Sequence, residues 1–382
     1  MKYKLGDIAT FSQGKQIEID EQFLKKDENH SIRFIRIVDY TNPEEPIRYV
    51  KNYGERYYAT ENEVIMIRYG SQTAGKVVMG KNGIIANNMF KMNFDNSIIK
   101  NKYAYYYLSQ DRIFNYLRSS QSSSTMPAIS FGMLNDFVID IPEIKTQEKV
   151  IALLDIIDKK INYNTHTNNN LYEIGKALYQ EYFESEKYTN NYEIKQLSEV
   201  TTNNRNKIDQ AKEYKVLSAV NTGNLVLSDD YFDKQVYSKD IGKYLNVNKN
   251  DFAYNPARIN IGSIGLNTFD FNCCVSPVYV TFSVDIDYID FFNFYFKSKK
   301  FNAEVTLRAS GSVRQALNYN DFGMIEIPYP TKEMIDKFNS SYKTIKDRIN
   351  KNKAKIRNLE QIRDTLLPKL MNGEIDLDKI EI

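Results

Sequence analysis

Residues 331–373 have the sequence TKEMIDKFNSSYKTIKDRINKNKAKIRNLEQIRDTLLPKLMNG, in which apolar side chains recur at intervals of three and four. The spacing predicts one continuous helix with an apolar seam. The seam residues are Ile335, Phe338, Tyr342, Ile345, Ile349, Ile356, Leu359 and Leu366. Asn352 and Arg363 interrupt it, and a buried Asn in such a seam fixes the register of a helix pair. The roughly 37 residues before Pro368 give a rod of about 55 Å, which needs a second helix to cover its seam.

A second helix of the same kind is predicted at residues 145–183. Its seam residues are Val150, Leu154, Ile157, Ile161, Leu171, Leu178 and Tyr182, with Asn164 and Asn168 in the middle. Each helix follows a strand-like stretch that ends in Pro, FVIDIP at 137–142 and GMIEIP at 323–328. The last helix carries a net charge of +6 and the first −2, which favours pairing. We therefore predict an antiparallel coiled pair with the intervening domains at opposite ends.

The order of motifs in the first part of the chain recurs in the second. LSEVTTNNRNKI from Leu197 resembles LGDIATFSQGKQI from Leu5, and CCVSPVYVTFSV at 273–284 resembles IIANNMFKMNF at 84–94. Alignment of Pro142 with Pro328 makes the second copy six residues shorter. The predicted fold class is α+β, with two similar mixed α/β domains separated by two long antiparallel coiled-coil helices. The predicted boundaries are 1–144 for the first domain, 145–186 for the central helix, 187–330 for the second domain, and 331–382 for the distal helix and tail.

Composition limits the choice of partners and compartment. The 51 basic and 49 acidic residues give a formal charge of +2, so contact with nucleic acid must rest on local patches. The two cysteines, Cys273 and Cys274, are adjacent and suit neither a disulfide framework nor a metal site. The sequence has no signal-peptide core and no stretch approaching 18 apolar residues. We expect a cytoplasmic protein without a membrane span or metal centre.

Two motifs resemble catalytic signatures and depart from them. GSQTAGK at 70–76 is close to a phosphate-binding loop, but Val77 replaces the magnesium-binding hydroxyl and the following VVMG is typical of a strand. Residues 254–257, YNPA, are close to the Asn-Pro-Pro-aromatic motif of adenine methyltransferases and lack its second Pro and its aromatic residue. These stretches favour a glycine hairpin and a strand that ends at a proline turn, so we expect no catalytic residue.

Polar loops remain as candidates for binding. RSSQSSS at 118–124 and RASGSVRQ at 308–315 occupy the same place in the two copies. Short hydroxyls and backbone amides suit phosphates, and Arg and Gln suit the edges of guanine and adenine; the alternative is a solvated loop. The candidate DNA-contacting residues are Lys15, Arg68, Gln72, Lys76, Arg118, Gln121, Ser122, Ser123, Arg205, Lys207, Arg258, Arg308, Ser312, Arg314 and Gln315.

These features resemble the specificity (S) subunits of type I restriction-modification systems over the full chain. The resemblance is carried by the duplicated domain, by EIKTQEKVIALLDIIDKKI at 143–161 after Pro142, by LYEIGKALYQEYF at 171–183, and by RDTLLPKLMNGEI at 363–375. IPYPTKEMIDKF at 327–338 departs from the family pattern, because Lys332 and Glu333 stand where a Glu-Gln pair is usual.

The resemblance implies a non-enzymatic chain whose two domains each recognise half of a split double-stranded DNA sequence. Two methylation subunits and a restriction subunit would be its partners. S-adenosylmethionine, ATP and Mg would be bound in those subunits, with no cofactor in this chain. The long helices would dock the partners, through residues Leu154, Ile157, Ile161, Leu171, Leu178, Ile345, Ile349, Ile356, Leu359 and Leu366.

Two other hypotheses stay open on the sequence. A coiled-coil scaffold with twin protein-binding domains would fit the near-zero net charge and would show no sequence-dependent retention of DNA. A self-contained enzyme would bind S-adenosylmethionine or ATP as the isolated chain.

Overall fold

The computed structural model describes residues 1–41, 45–70, 73–119, 128–185, 192–232, 236–308 and 316–377. The chain divides into two compact units. The N-terminal unit comprises Met1–Asn164 and Ala354–Ile382, and the C-terminal unit comprises Thr165–Lys353. Across the described part of the chain, no helix combines the length and hydrophobicity that a membrane span requires.

The N-terminal unit contains ten strands and the first half of a long helix. The strands are β1 (Lys2–Lys4), β2 (Ala9–Gln13), β3 (Ile32–Ile35), β4 (Arg48–Val50), β5 (Tyr58–Ala59), β6 (Val64–Ile67), β7 (Val77–Met79), β8 (Gly83–Ile85), β9 (Met89–Phe94) and β10 (Val138–Asp140) among the described residues. The helices are α1 (Leu5–Ile8), α2 (Val38–Thr41), α3 (Asn101–Leu108), α4 (Asp111–Ser119), α5 (Phe131–Asn135) and α6 (Ile144–Phe183). The sheet orders are β2–β9–β6–β7, β4–β3–β8–β5 and β1–β10.

Strand β6 is buried on both faces and lies between two cores. Val64 and Met66 belong to the core that also contains residues of α3 to α6, whereas Ile65 and Ile67 face the core of the second sheet. All four side chains are at most 2% exposed. Successive side chains of a strand point to opposite faces, which explains why this stretch is continuously apolar instead of alternating.

The C-terminal unit repeats this architecture. Its strands are β11 (Tyr192–Gln196), β12 (Thr201–Asn203), β13 (Lys215–Val220), β14 (Asn224–Leu227), β15 (Leu245–Val247), β16 (Phe252–Tyr254), β17 (Ile264–Leu266), β18 (Cys273–Val275), β19 (Val280–Val284) and β20 (Glu326–Pro330). Its helices are α7 (Leu197–Val200), α8 (Ser228–Tyr231), α9 (Ile289–Tyr295), α10 (Lys299–Arg308), α11 (Tyr319–Gly323) and α12 (Lys332–Met371). The sheet orders are β12–β19–β16–β17, β14–β13–β18–β15 and β11–β20.

Each strand of the first copy has its counterpart ten strands later, with the same neighbours. The single parallel pair in the second sheet, β3 with β8, recurs as β13 with β18. The predicted fold class and internal duplication are therefore confirmed. The predicted domain boundaries stay a prediction, since the compact units divide both long helices.

The alignment of the two copies at Pro142 and Pro328 is wrong by two residues. Lys4 pairs with Val138 in the first copy, and its counterpart Gln196 pairs with Glu326 in the second. This register aligns Pro142 with Pro330. The second copy is thus four residues shorter from this strand onward, not six. The stretch IPYP offers two prolines, and only the hydrogen-bonded ladder determines which one matches.

The Tyr-rich stretch from Asn101 forms two helices. The first ends at Leu108, and the second begins at Asp111. Gln110 is 3% exposed and donates its side-chain amide to Tyr107 O at 2.8 Å. Because this bond satisfies a carbonyl at the end of the first helix, the break is a specific turn.

The long helices α6 and α12 are each 40 residues long, close to their predicted extents. Helix α12 continues through Pro368 to Met371. Gly373, with φ of 71°, ends it, and Glu374 N–H donates to Lys369 O at 2.9 Å. Only glycine adopts this left-handed conformation without strain, so the glycine stops the helix more effectively than the proline.

In the C-terminal unit the two helices run antiparallel. Asn168 contacts Asn352, whereas Tyr182 further along α6 contacts Ser341 further back on α12, both at 3.0 Å. In the N-terminal unit, Arg363 of α12 forms an ion pair with Asp158 of α6 at 3.3 Å. Two interruptions of the predicted seam, Asn352 and Arg363, are therefore polar contacts between the helices, as a register-fixing role requires.

Candidate nucleic-acid interface

The predicted DNA-contacting residues fall into two groups. Gln72, Gln121, Ser122, Ser123, Ser312, Arg314 and Gln315 lie outside the described residues, so most of both polar loops stays a prediction. The structure places Lys15, Arg68, Lys76, Arg118, Arg205, Lys207, Arg258 and Arg308. Arg68 and Lys15 are half-buried, and the other six are exposed.

Two segments of the first domain meet at the turn between β8 and β9. After β2, Gly14 N–H donates to Met89 O at 3.0 Å and Lys15 N–H to Ile85 O at 2.8 Å. After β6, Arg68 N–H donates to Asn88 O at 2.8 Å. A side chain at Gly14 would collide with the carbonyl of Ala86, so the close approach requires glycine. The structure thus brings Lys15 and Arg68 to the same turn from different strands.

Arg68 is held by one hydrogen bond and two aromatic rings. Its Nη1 donates to Gln13 Oε1, and the guanidinium lies 4.8 Å from the Phe131 ring and 5.2 Å from the Tyr69 ring. Gln13 Nε2 in turn donates to the carbonyls of Asn87 and Met89. Within the described residues Arg68 forms no ion pair, which leaves a fixed cation with donors to spare.

Lys15 belongs to a surface that we call the basic-aromatic patch, formed by Lys15, Lys51, Tyr53, Arg56 and Tyr57. Lys15 Nζ lies 5.4 Å from the Tyr53 ring and 5.5 Å from the Tyr57 ring. Lys51 lies over Tyr53 at 5.1 Å and Arg56 over Tyr57 at 5.6 Å. Burial, followed by the hydrogen bond to Glu21, raises the pKa of Tyr53, so its hydroxyl stays neutral. Lys51 also pairs with Glu21 at 3.5 Å, so Lys15 and Arg56, beside the two rings, are the cations better suited to contact phosphates.

Sequence reasoning missed Gln13 and four members of the basic-aromatic patch. Four of the patch residues lie at 51–57, a stretch without a motif. Lys15 lies much earlier in the chain, just after β2. Gln13 has one local signal, Gly14, which follows it directly. Its pairing with a residue 55 positions away depends on the sheet register, which no local pattern gives.

The corresponding region of the second domain has different side chains. Arg68 O accepts a hydrogen bond from Ile129 N–H at 2.9 Å, and Pro256 O accepts one from Leu317 N–H at 3.0 Å. The counterpart of Arg68 is therefore Pro256. Arg205 corresponds in chain position to Gln13 and is exposed. Arg258 N–H donates to Asn255 O at 2.9 Å in the turn after β16.

The remaining predicted cations lie apart from the β8–β9 turn in chain position. Lys76 is in the hairpin between β6 and β7, where its carbonyl accepts from Ile67 N–H at 2.9 Å and a strand follows. The described residues of this motif, 70 and 73–76, thus belong to a hairpin that contains Gly70 and Gly75, as interpreted from the sequence. Arg118 lies in the last turn of α4, over the Phe114 ring at 5.4 Å. Arg308 is the last residue of α10 and lies 3.8 Å from Glu304.

The predicted partner-binding residues on α6 and α12 face inward. Leu154 is fully buried and Ile157 is 7% exposed, and the other eight are half-buried. Tyr179 and Phe183, absent from the predicted seam, are more deeply buried than Leu178 and Tyr182. The exposed large apolar residues of the two helices are Ile156, Tyr163, Ile174 and Ile362.

Comparison with known proteins agrees with this architecture. The family model described as the type I restriction modification DNA specificity domain matches residues 1–173. The MjaIX specificity subunit of Methanocaldococcus jannaschii, a type I restriction enzyme subunit, is 22% identical over 333 residues, 80% of this chain and 76% of the relative. The MjaVIII specificity subunit of the same organism is 23% identical over 160 residues, 41% of this chain and 36% of the relative.

A solved structure shows the same fold. The S subunit of a type I restriction-modification system from M. genitalium superposes with a TM-score of 0.52 at 16% identity, covering 97% of this chain and 95% of the other. The family model covers the first copy and most of α6, whereas the M. genitalium structure superposes over both copies. In sequence over residues 1–173 and in fold over both copies, the chain is similar to the specificity subunits of type I restriction-modification systems.

Proposed function

We propose that this chain recognises a DNA target in two parts, one half-site for each domain, and holds the enzymatic subunits of its complex at that target. The observation that carries the proposal is the duplication, in which ten strands recur in the same order with the same neighbours. Specificity subunits of type I systems are non-catalytic as a family. Two copies of one binding domain suit a target with two separate half-sites.

The surfaces of the first domain support contact with DNA. The basic-aromatic patch supplies cations for phosphates, while Arg68 supplies oriented donors suited to a base edge. Because phosphate contacts release counterions, affinity should fall steeply as salt concentration rises. The predicted loops at 118–124 and 308–315 would add contacts in both domains.

The partners in this proposal are two methylation subunits and a restriction subunit. They would bring S-adenosylmethionine, ATP and Mg, and the complex would work in the cytoplasm. Ile156, Tyr163, Ile174 and Ile362 give the long helices exposed apolar positions that a partner could cover. The methylation subunit must extrude its target base, so contacts on both sides of that base would hold the distorted duplex.

A domain exchange tests the proposal. Residues 1–144 are replaced by the matching domain of another specificity subunit, residues 187–330 are replaced in a second chimera, and methylated sites are mapped in cells. Each chimera should change one half of the target and retain the other. A change in both halves, or in neither, would refute the proposal that each domain recognises one half-site. Absence of sequence-dependent DNA retention by the wild-type complex at every salt concentration would favour the scaffold hypothesis.

A further inference from the structure

The neighbours of Arg68 hold its guanidinium in a fixed orientation before any ligand binds. Phe131, which lies 4.8 Å from the guanidinium, is itself fixed by Phe11 at 5.5 Å and by Phe90 at 5.0 Å. Gln13 is fixed by two backbone carbonyls, and its amide oxygen meets Arg68 Nη1. A guanidinium held this way loses little conformational freedom when it binds.

We infer that Arg68 contacts a guanine in the half-site of the first domain and that Gln13 is its positioning residue. This inference rests on the proposed function. Arginine presents paired N–H donors that match O6 and N7 of guanine in the major groove. Gln13 uses one donor of Nη1, which leaves the second Nη1 hydrogen and both Nη2 hydrogens for the base.

Other arginines of the same domain show what a structural role looks like. Arg33 and Arg36 both pair with the buried carboxylate of Asp39, at 3.1 Å and 3.0 Å. Arg36 also pairs with Glu45 at 3.0 Å, so two carboxylates neutralise the two charges within the fold. Arg68 is half-buried like them, but the neutral amide of Gln13 stands where a carboxylate would neutralise it. A neutral partner orients the guanidinium and preserves its charge for an external acceptor.

The second domain cannot repeat the arrangement. Pro256 occupies the position of Arg68, and Arg205 occupies the position of Gln13 by chain count. A proline offers no side-chain donor. The effect of Arg68 on base preference is therefore confined to one half of the target.

Selection from a randomised double-stranded DNA library tests the inference, with the full chain purified together with its methylation subunit. Arg68→Ala should lower the preference for one guanine by about 5- to 150-fold and leave the other half-site unchanged. Arg68→Lys keeps the charge and loses the paired donors, so it should lower the same preference. Gln13→Met keeps the length and removes the acceptor. It should weaken that preference too, with no further loss in the double variant with Arg68→Ala.

The matched control is Arg112→Ala. Arg112 Nε donates to Gln110 Oε1 at 3.0 Å and the guanidinium lies 5.8 Å from the Tyr107 ring, so it has the same kinds of partner on helix α4. This variant should retain every base preference. Thermal unfolding of each variant shows whether it is folded.

Four results would overturn the inference. A uniform loss of affinity for all sequences, with the salt slope reduced by about one, would make Arg68 a phosphate contact. Unchanged preferences in a folded Arg68→Ala variant would make it structural. Altered preference at a base other than guanine would refute the assigned contact. A wild-type complex without any sequence preference would remove the proposed function as well, which separates that failure from the other three.

Discussion

Asn352 donates a hydrogen bond from Nδ2 to Oδ1 of Asn168, 3.0 Å away, between the two long helices of the C-terminal unit. Asn168 Nδ2 also approaches Ile349 O at 3.4 Å. Asn352 is 1% exposed, and its own Oδ1 has no hydrogen-bond partner among the described residues. The pair lies in an apolar seam at a cost in stability, and only one alignment of the helices brings the two amides together.

Replacing one member of this pair should cost more than replacing both. Asn352→Leu leaves the Asn168 amide without its partner and should lower the free energy of unfolding by about 1 to 3 kcal/mol. The double variant with Asn168→Leu should restore wild-type stability or exceed it. Urea denaturation of the three proteins measures this. Asn164→Leu is the control, because Asn164 donates to Lys160 O at 2.7 Å within its own helix. Equal costs for the single and double variants would contradict the prediction.

Gln147 joins the start of α6 to the first domain. It is fully buried, its Nε2 donates to Ile98 O and Pro142 O at 2.9 Å each, and its Oε1 accepts from Lys100 N–H at 2.9 Å. In the second copy, Ile335 occupies this position. There the equivalent backbone N–H, that of Tyr288, donates to Asp285 O at 2.9 Å, so no glutamine is needed.

Gln147→Leu should therefore lower the free energy of unfolding by about 3 kcal/mol, since it leaves buried backbone groups unpaired. Gln180→Leu, at an exposed position of the same helix, should change it by less than about 0.5 kcal/mol. Chemical denaturation of both variants measures the difference. A Gln147→Leu protein as stable as the wild type would show that water or a backbone shift satisfies these groups.

Gly175 allows close packing of α6 in the C-terminal unit. A Cβ at this position would lie 2.6 Å from Tyr342 Cε2 and 3.1 Å from Phe294 Cζ. Gly175→Ala should thus destabilise the protein by about 1 to 3 kcal/mol, although alanine favours helix formation. Gly132→Ala in α5 meets open space and should raise stability by about 0.5 to 1 kcal/mol. Calorimetry on the two variants should give melting shifts of opposite sign, and a stabilised Gly175→Ala protein would refute the packing argument.

Lys297 makes stability depend on pH. Burial, followed by the nearby charge of Lys353, lowers its pKa to about 8 from 10.5. Its Nζ lies 5.3 Å from the Tyr172 ring and donates to Asn224 Oδ1 at 2.9 Å. Between pH 8 and 10.5 the unfolded chain holds this proton and the folded chain has released it. Stability contributed by this group therefore rises with pH across that window and is lowest below pH 8.

The difference between wild type and Lys297→Met isolates this effect, because all tyrosines are shared by both proteins. The stability of wild type relative to the variant should increase from pH 7 to pH 9.5, as followed by urea denaturation at each pH. Lys300→Met removes an exposed lysine of α10 and should give a difference independent of pH. A pH-independent difference for Lys297→Met would show that its amine titrates normally.

The sequence predicted the long helices closely because their signal is local and repeated. Apolar residues three and four apart mark a helix wherever the partner lies, so the seam from Ile335 to Leu366 could be read without coordinates. The predicted seam did not include Tyr179 and Phe183. They lie beside the seam and are buried because the domain core, with Phe291 and Phe338, also covers this part of α6.

The candidate interface could be predicted only in part. Its cations are visible in the sequence, and Lys15 and Arg68 were among them. Their organisation depends on strand pairing around the β8–β9 turn, which brings Gln13 to Arg68. The same pairing in the second copy places Pro256 at the position equivalent to Arg68. Register of this kind arises from backbone hydrogen bonds over long sequence separations, and side-chain composition does not encode it locally.

The N-terminal unit needs residues from both ends of the chain. Leu5 and Val150 share a core with Leu367, Leu370 and Leu377, so the first domain is completed by a helix that is synthesised after the second domain. During translation the segment in between takes on the order of 10 to 40 s to synthesise, and over that interval the early apolar surface is without its final cover. A chain terminated before α12 would keep that surface exposed and become a target for chaperones and proteases.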